Sequence, residues 1–352
     1  MSAVASPVVA RARRSGVIVA LTVVLLTSMV AALALGAVTM PVGSVLEVVG
    51  RRLGLADVDV TLLDDQIVWQ LRLPRVLGAA ATGAGLAMVG AVLQSLTRND
   101  LADPYLLGIS GGASVGAVMV IVLGVSVAGV TGSAMLTAGA FAGALAALFV
   151  VLLLASDRTG ALPPARTILA GVAVGQICAA YTAFVVIMNG DGDAARRVLS
   201  WTLGSLAGVR WGSAIFLVAV TLVAAVVIMA FASDLDAFAF GESAAGSLGV
   251  NVHRLRWLLM VVTALLTACL VSYTGAIGFV GLVVPHIARM LIGVRHHRLL
   301  PASALGGATL LVWADTAARS LVSSQEIPVG VVTAAVGAPV FAVLLRRARR
   351  RA

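Results

Sequence analysis

All 24 basic residues of this 352-residue chain are arginine, and lysine is absent. That removes two kinds of chemistry. A phosphate-binding loop of the form GxxxxGKS/T needs a lysine to reach the terminal phosphates, and Schiff-base catalysis needs a lysine amine. The chain therefore has no standard ATP-hydrolysing site of its own. Other reactive residues are sparse: four histidines (His253, His286, His296 and His297) and two cysteines (Cys178 and Cys269). Each cysteine sits alone in an apolar run and reads as a small buried hydrophobe, not as part of a metal motif. Only His286 falls in a predicted span; it follows Pro285, and the pair reads as structural. No carboxylate is predicted at mid-membrane, and Asp315 lies near the outer end of its span. A route for bare divalent metal needs histidine or carboxylate ligands, and a proton-coupled carrier needs a buried ionisable relay. The pattern points instead to a bulky or chelated cargo moved through a cavity, with energy supplied from elsewhere.

The elements that carry these residues are membrane helices. Hydrophobic residues make up 61% of the chain and charged residues 11%, against about 25% charged in a soluble domain. The mean hydropathy is +1.08. So few charges cannot cover a soluble protein of this size, which excludes a soluble enzyme, a disordered chain and a nucleic-acid-binding domain. A bilayer core takes about 20 apolar residues per helix. The charge-free runs are 15–46, 76–97, 104–156, 167–190, 211–233, 257–285, 299–314 and 327–345. They hold ten helices if 104–156 turns near 125–133 and 257–291 breaks at 272–278. The predicted spans are 17–38, 74–96, 105–124, 134–155, 167–188, 212–231, 256–272, 278–293, 302–319 and 328–345. The expected fold class is thus an all-α integral membrane protein with ten transmembrane helices. Residues 1–16 form a cytoplasmic basic N-terminus, 17–345 the ten-helix domain, and 346–352 a cytoplasmic basic tail. The first apolar stretch follows a basic flank, as in a signal peptide, but its length favours a retained span.

With both termini in the cytoplasm, sixteen arginines fall inside and eight outside. This N-in, C-in arrangement follows the positive-inside trend, and the RRARRR tail becomes an anchor on anionic headgroups. Two features stand out. The polar segment 234–256, between the sixth and seventh spans, is expected to form one or two short helices with a break at Gly241 and a stop at Gly249. It reads equally as a connecting loop or as a docking element for a soluble partner. Arg72, Arg75 and Arg319 fall on the outer face, against the trend. They read either as interfacial snorkellers or as a docking surface for acidic groups. An Asp315–Arg319 pair is expected at i,i+4.

Several longer motifs are more specific. They include LRLPR at 71–75, RNDLADPYLLGISGGA at 98–113, GESAAGSLGV at 241–250, GAIGFVGLVVPHIAR at 275–289, ADTAAR at 314–319 and EIPVGVVTAAVGAPVF at 326–341. In these stretches, and over about 71–346, the chain resembles FecCD-type permeases. Those are membrane subunits of type II ABC importers for iron–siderophore complexes, haem and vitamin B12. Two departures lie in cytoplasmic turns: Asp100 stands where proline is common, and His296-His297-Arg298 replaces the usual DHR.

The resemblance implies the type II importer permease fold in a bacterial cytoplasmic membrane. It also implies a second permease copy or paralogue, two separate ATPase subunits carrying ATP and magnesium, and an extracytoplasmic binding protein. The chain itself would need no cofactor, metal or catalytic residue. On the resemblance, Arg72, Arg75 and Arg319 would hold the binding protein. Gly241, Glu242, Ala245, Leu248 and Gly249 would contact the ATPase. The fifth span would line the pathway through Gly171, Gly175 and Gln176, with Pro163, Pro164, Ala165 and Arg166 at the cytoplasmic gate. A ferric siderophore is the expected cargo, with haem and cobalamin as alternatives. An ion-coupled carrier, an intramembrane enzyme and a zinc or manganese permease are the competing classes.

Overall fold

A computed structural model describes residues 7–36, 38–126, 132–322 and 325–349. Residues 1–6 of the basic N-terminus, most of the expected turn near 125–133, and Arg350 and Arg351 of the tail lie outside the described residues. Regular structure among the described residues is entirely helical. In chain order the helices are α1 (Pro7–Ala34), α2 (Val42–Arg52), α3 (Leu62–Thr97), α4 (Ile109–Ile121), α5 (Gly132–Ala155), α6 (Pro164–Asn189) and α7 (Gly192–Thr202). They continue with α8 (Trp211–Ala230), α9 (Ala232–Phe238), α10 (Glu242–Ser247), α11 (Val252–Thr274), α12 (Val280–Ile292), α13 (His296–Ser320) and α14 (Val329–Arg349). Six stretches are long and apolar enough to cross a bilayer: Gly16–Ala34 within α1, and helices α3, α5, α6, α8 and α11. Shorter apolar helices are α4, α12 and Val329–Leu344 of α14. A helix lies over every predicted span.

The boundaries differ from expectation where polar residues hid helical turns. Helix α3 begins twelve residues before its predicted start at 74, with Thr61 capping Asp64 N–H at 3.1 Å. Its segment Gln66–Arg72 is π-helical. Pro74 has no N–H for the carbonyl one turn earlier, and the wider turn just before it absorbs that missing bond. Asp65 accepts from Arg52 Nε of α2 at 2.7 Å, which ties the start of α3 to α2, a helix lying between the first two predicted spans. Helix α7 lies between the predicted spans 167–188 and 212–231. Its N-cap Asp191, bonded to Ala194 N–H at 2.6 Å, is a legible start signal.

Helix α3 is the central pillar. In its most apolar stretch 83% of residues are buried within the chain, against 17% in α6. It packs on α8, α11, α12 and α13, while α4 packs on α5 and α6. No hydrophobic force drives helices together in lipid, so close approach relies on small residues. A Cβ on Gly90 would lie 1.9 Å from Gly281 O, and one on Gly83 would lie 2.2 Å from Gly307 O. The backbones of α3, α12 and α13 are therefore in contact there. Gly90→Leu should cost about 3 kcal/mol or more by overpacking, whereas Gly16→Ala, with open space around it, should be silent. Thermal melts in nanodiscs distinguish the two; equal melts would show that the contact can relax.

Candidate functional site

At the predicted outer end of the bundle, Arg75 forks onto Asp315. Its Nε lies 3.0 Å from both carboxylate oxygens and its Nη2 2.9 Å from Oδ1. Its Nη1 lies 3.1 Å from both oxygens of Glu326. Arg72 turns back onto the end of α1, donating from Nη1 to Leu33 O at 2.6 Å and Ala34 O at 3.2 Å, and from Nη2 to Val38 O. Arg319 donates to Ala32 O, and its Nε lies 3.8 Å from Asp315 Oδ2, the expected i,i+4 pair.

Within this chain all three arginines are engaged by its own groups. Arg72 and Arg319 are only 7% and 8% exposed. The last carbonyls of a helix have no intrahelical donor, and out of water they need one. Two guanidiniums supply it to α1. A single carboxylate, Asp315, is the closest counter-charge to both Arg75 and Arg319. Of this cluster, only Glu326 is well exposed, at 49%.

The pathway residues divide. Gly171 is a packing residue, since a Cβ there would lie 1.7 Å from Leu106 O. Gln176 is exposed on the outside of α6. Gly175 borders an open cavity of about 620 Å³ between α4, α6 and α7. Ser110 and Ser114 of α4, Thr182 of α6 and Thr202 of α7 also line it, and among the described residues no charged side chain does. Tyr105 forms its inner edge. The phenol donates to Ile277 O at 3.0 Å and accepts from Ile277 N–H at 2.7 Å, closing the break between α11 and α12. The end of α7 is bonded to the same region: Ser205 N–H to Thr274 O at 2.8 Å, and Gly330 N–H of α14 to Leu203 O at 3.0 Å. Gly275 sits at φ +67 with Trp201 O 2.1 Å from where a Cβ would be, so only glycine fits.

At the proposed gate, Pro163 and Pro164 start α6, and Ala165 and Arg166 are exposed. Arg166 Nε donates to Leu154 O at 2.9 Å, which caps the end of α5.

In the segment 234–256, two short helices, α9 and α10, flank Gly241, and α10 stops before Gly249. Both glycines have positive φ, +99 and +88. Ala245 is fully buried, while Leu248 and Phe240 are exposed at 68% and 77%. Glu242 holds the buried Arg256 at 2.6 Å, so Glu242 anchors the segment from within. The apolar surface free for a partner is Phe240 and Leu248.

Removing Asp315 by Asp315→Ala would leave two desolvated arginines without their nearest counter-charge. It should destabilise the chain by about 3–5 kcal/mol, and the exposed Glu326→Ala by under about 1 kcal/mol. Thermal melts of both variants in nanodiscs check this; a mild Asp315→Ala would show that Glu326 suffices.

Comparison with known proteins agrees with this architecture. The FecCD transport family matches residues 23–347. The cobalamin import system permease protein BtuC of Halobacterium salinarum is 45% identical over 81% of this chain and 75% of its own length. The hemin transport system permease protein HmuU of Yersinia pestis is 39% identical over 81% of this chain and 84% of its own. A metal-chelate type ABC transporter solved in an inward-facing conformation superposes with a TM-score of 0.81 at 29% identity, covering 95% of this chain and 99% of that one. The chain is a multi-pass membrane protein of the FecCD transport family, the permeases of ABC importers.

Proposed function

We propose that this chain forms one half of a membrane pathway that imports a metal chelate, driven by ATP hydrolysis on separate subunits. The observation that carries the reading is α6. It is an apolar helix buried over only 17% of its most apolar stretch, and it borders a cavity with no charged lining among the described residues. Lipid covers the apolar face of such a helix, but the open cavity beside it lacks a second wall, and a second permease placed against α6 would enclose that cavity between two copies. The uncharged wall, mostly apolar with a few hydroxyls, suits a large solute and offers no charged ligand for a bare metal ion. In this reading all ten predicted helices cross the membrane, N-in and C-in, which puts α9 and α10 in the cytoplasm beneath the bundle. The ATPase docks there, on Phe240 and Leu248. The binding protein docks on the opposite face, at the Arg75–Glu326 edge.

For the cargo, the naming of the relatives favours cobalamin as the first candidate. A relative named for cobalamin is 45% identical and one named for haemin 39%. The ferric siderophore expected from family frequency remains the third candidate.

The test is uptake into proteoliposomes containing the chain with its cognate ATPase and binding protein, offered cyanocobalamin, haemin or a ferric siderophore in separate arms. Cyanocobalamin should accumulate only with ATP. Gly175→Trp should abolish uptake while leaving ATPase association intact, and Leu248→Arg should weaken that association. Uptake driven by an ion gradient without the ATPase would overturn the importer reading.

A further inference from the structure

Three side chains from three helices form a hydrogen-bonded chain at the foot of α9. Asp236 Oδ1 accepts from the backbone N–H of His296 at 2.8 Å and lies 2.7 Å from its ring Nδ1. The opposite ring nitrogen, Nε2, lies 2.6 Å from Ser95 Oγ. His296 is 5% exposed. One residue on, His297 Nε2 lies 3.1 Å from Ser233 Oγ. Ser233 and Asp236 belong to α9, Ser95 to the last turns of α3, and both histidines to the first turn of α13, ahead of the predicted span 302–319. Nothing in the transport pathway uses these groups.

We infer that His296 is a positioning residue for transport: it clasps α9, and through it the exposed Phe240 and Leu248, to the two helices that carry the bundle core. The inference rests on the reading of 234–256 as the ATPase contact. Its logic is mechanical. Force applied by a soluble partner at Leu248 reaches the bundle only through rigid connections. Helix α9 is seven residues long, too short to hold its own position. It continues α8 at one end and meets the left-handed Gly241 at the other. The clasp adds a buried lateral fixation to both α3 and α13.

Histidine suits the place because its two nitrogens face opposite partners. In the neutral ring, Nδ1–H donates to Asp236 and Nε2 accepts from the Ser95 hydroxyl. In the imidazolium both nitrogens donate, and the Ser95 hydroxyl turns to Ala91 O, 2.9 Å away. Both states are hydrogen-bonded, but burial disfavours the charged one. The charged groups facing the ring are Asp236 from α9, Arg289 from α12 and His297 on its own helix. Burial pulls the His296 pKa below its ordinary value; Asp236 opposes this, and Arg289 and His297 add to it. The closed clasp therefore binds a proton less readily than an open one, whose ring would titrate near 6.5. Clasp strength is present above that value and is lost as pH falls through it towards the lower pKa of the closed state.

The experiment uses the full chain in nanodiscs, and then the assembled importer in proteoliposomes with cyanocobalamin as probe. Hydrogen-exchange protection at α9, corrected for intrinsic rate, should fall between about pH 7.5 and about pH 5.5. His296→Ala should lower it severalfold at both values, and should lower cargo moved per ATP hydrolysed without stopping hydrolysis. His296→Gln offers a donor and an acceptor but does not titrate. It should retain protection and coupling at neutral pH and flatten the pH response. Asp236→Asn should deepen the acid loss, because the charge that supports the imidazolium is gone. Unchanged α9 protection in His296→Ala, a pH response that survives in His296→Gln, or loosened α9 with undiminished cargo per ATP would each overturn the inference. Failure of the parent complex to take up any of the three chelates with ATP would strike the importer reading itself, separately from the exchange result at α9.

Discussion

A polar group inside hydrocarbon has no water to turn to, and in this chain that constraint is met most tightly at Asp315. One buried carboxylate sits 2.9 Å from Arg75 and 3.8 Å from Arg319. Those arginines and Arg72 reach across three helices, two of them to the open carbonyls that end α1. Without these guanidiniums the end of α1 would carry unpaired acceptors, and without the carboxylate the guanidiniums would be desolvated and uncompensated. The positions of α1, α3 and α13 at this end of the bundle follow from that one shared charge. The same logic recurs at the other end of α3. There Gln94 donates to the carbonyls of Ala102, Gly281 and Leu282, and Arg289 donates to Gln94 Oε1 at 2.6 Å.

Between these polar clamps the packing is close. Glycine-to-backbone contacts bring α12 and α13 against α3, so these helices share a rigid core. The periphery is different. Helix α6 leaves Leu169, Ile177 and Phe184 exposed, while its other side borders the uncharged cavity. Rigid core and unpartnered flank together fit a subunit whose moving surfaces lie at its contacts with other chains. Tyr105 and the 203–205 strand of backbone bind the cavity edge to the break between α11 and α12. The cavity wall is therefore continuous with the core.

The two glycine-bounded short helices extend the same division. Their inner side is fixed by Ala245, by the Glu242–Arg256 pair and by the His296 clasp. Their outer side leaves Phe240 and Leu248 exposed. A segment anchored on one side and open on the other is suited to carrying motion from a soluble subunit into a membrane core.

The sequence by itself determined the membrane class, the position of every long helix and the glycine breaks at 241 and 249. Each of these rests on local physics: charge-free runs of bilayer length, and backbone conformations that only glycine adopts freely. Absence of lysine likewise settled that no standard ATP site is present. Helix α7, amphipathic and too short to span, is legible through its cap Asp191. The tertiary structure decided what no local pattern contains. Arg72, Arg75 and Arg319 look alike in sequence, as outer-face cations; only the fold shows that α1 ends beside two of them and that Asp315 lies opposite the third. Gly171 and Gly175 share one helical face, yet one meets the 104–107 turn at backbone distance and the other borders a cavity. His296 read as a departure in a turn until α9 folded back onto it. In each case the partner lies far along the chain, 240 residues for Arg75 and Asp315 and 60 for His296 and Asp236, so burial and pairing are properties of the packed bundle and not of the motif.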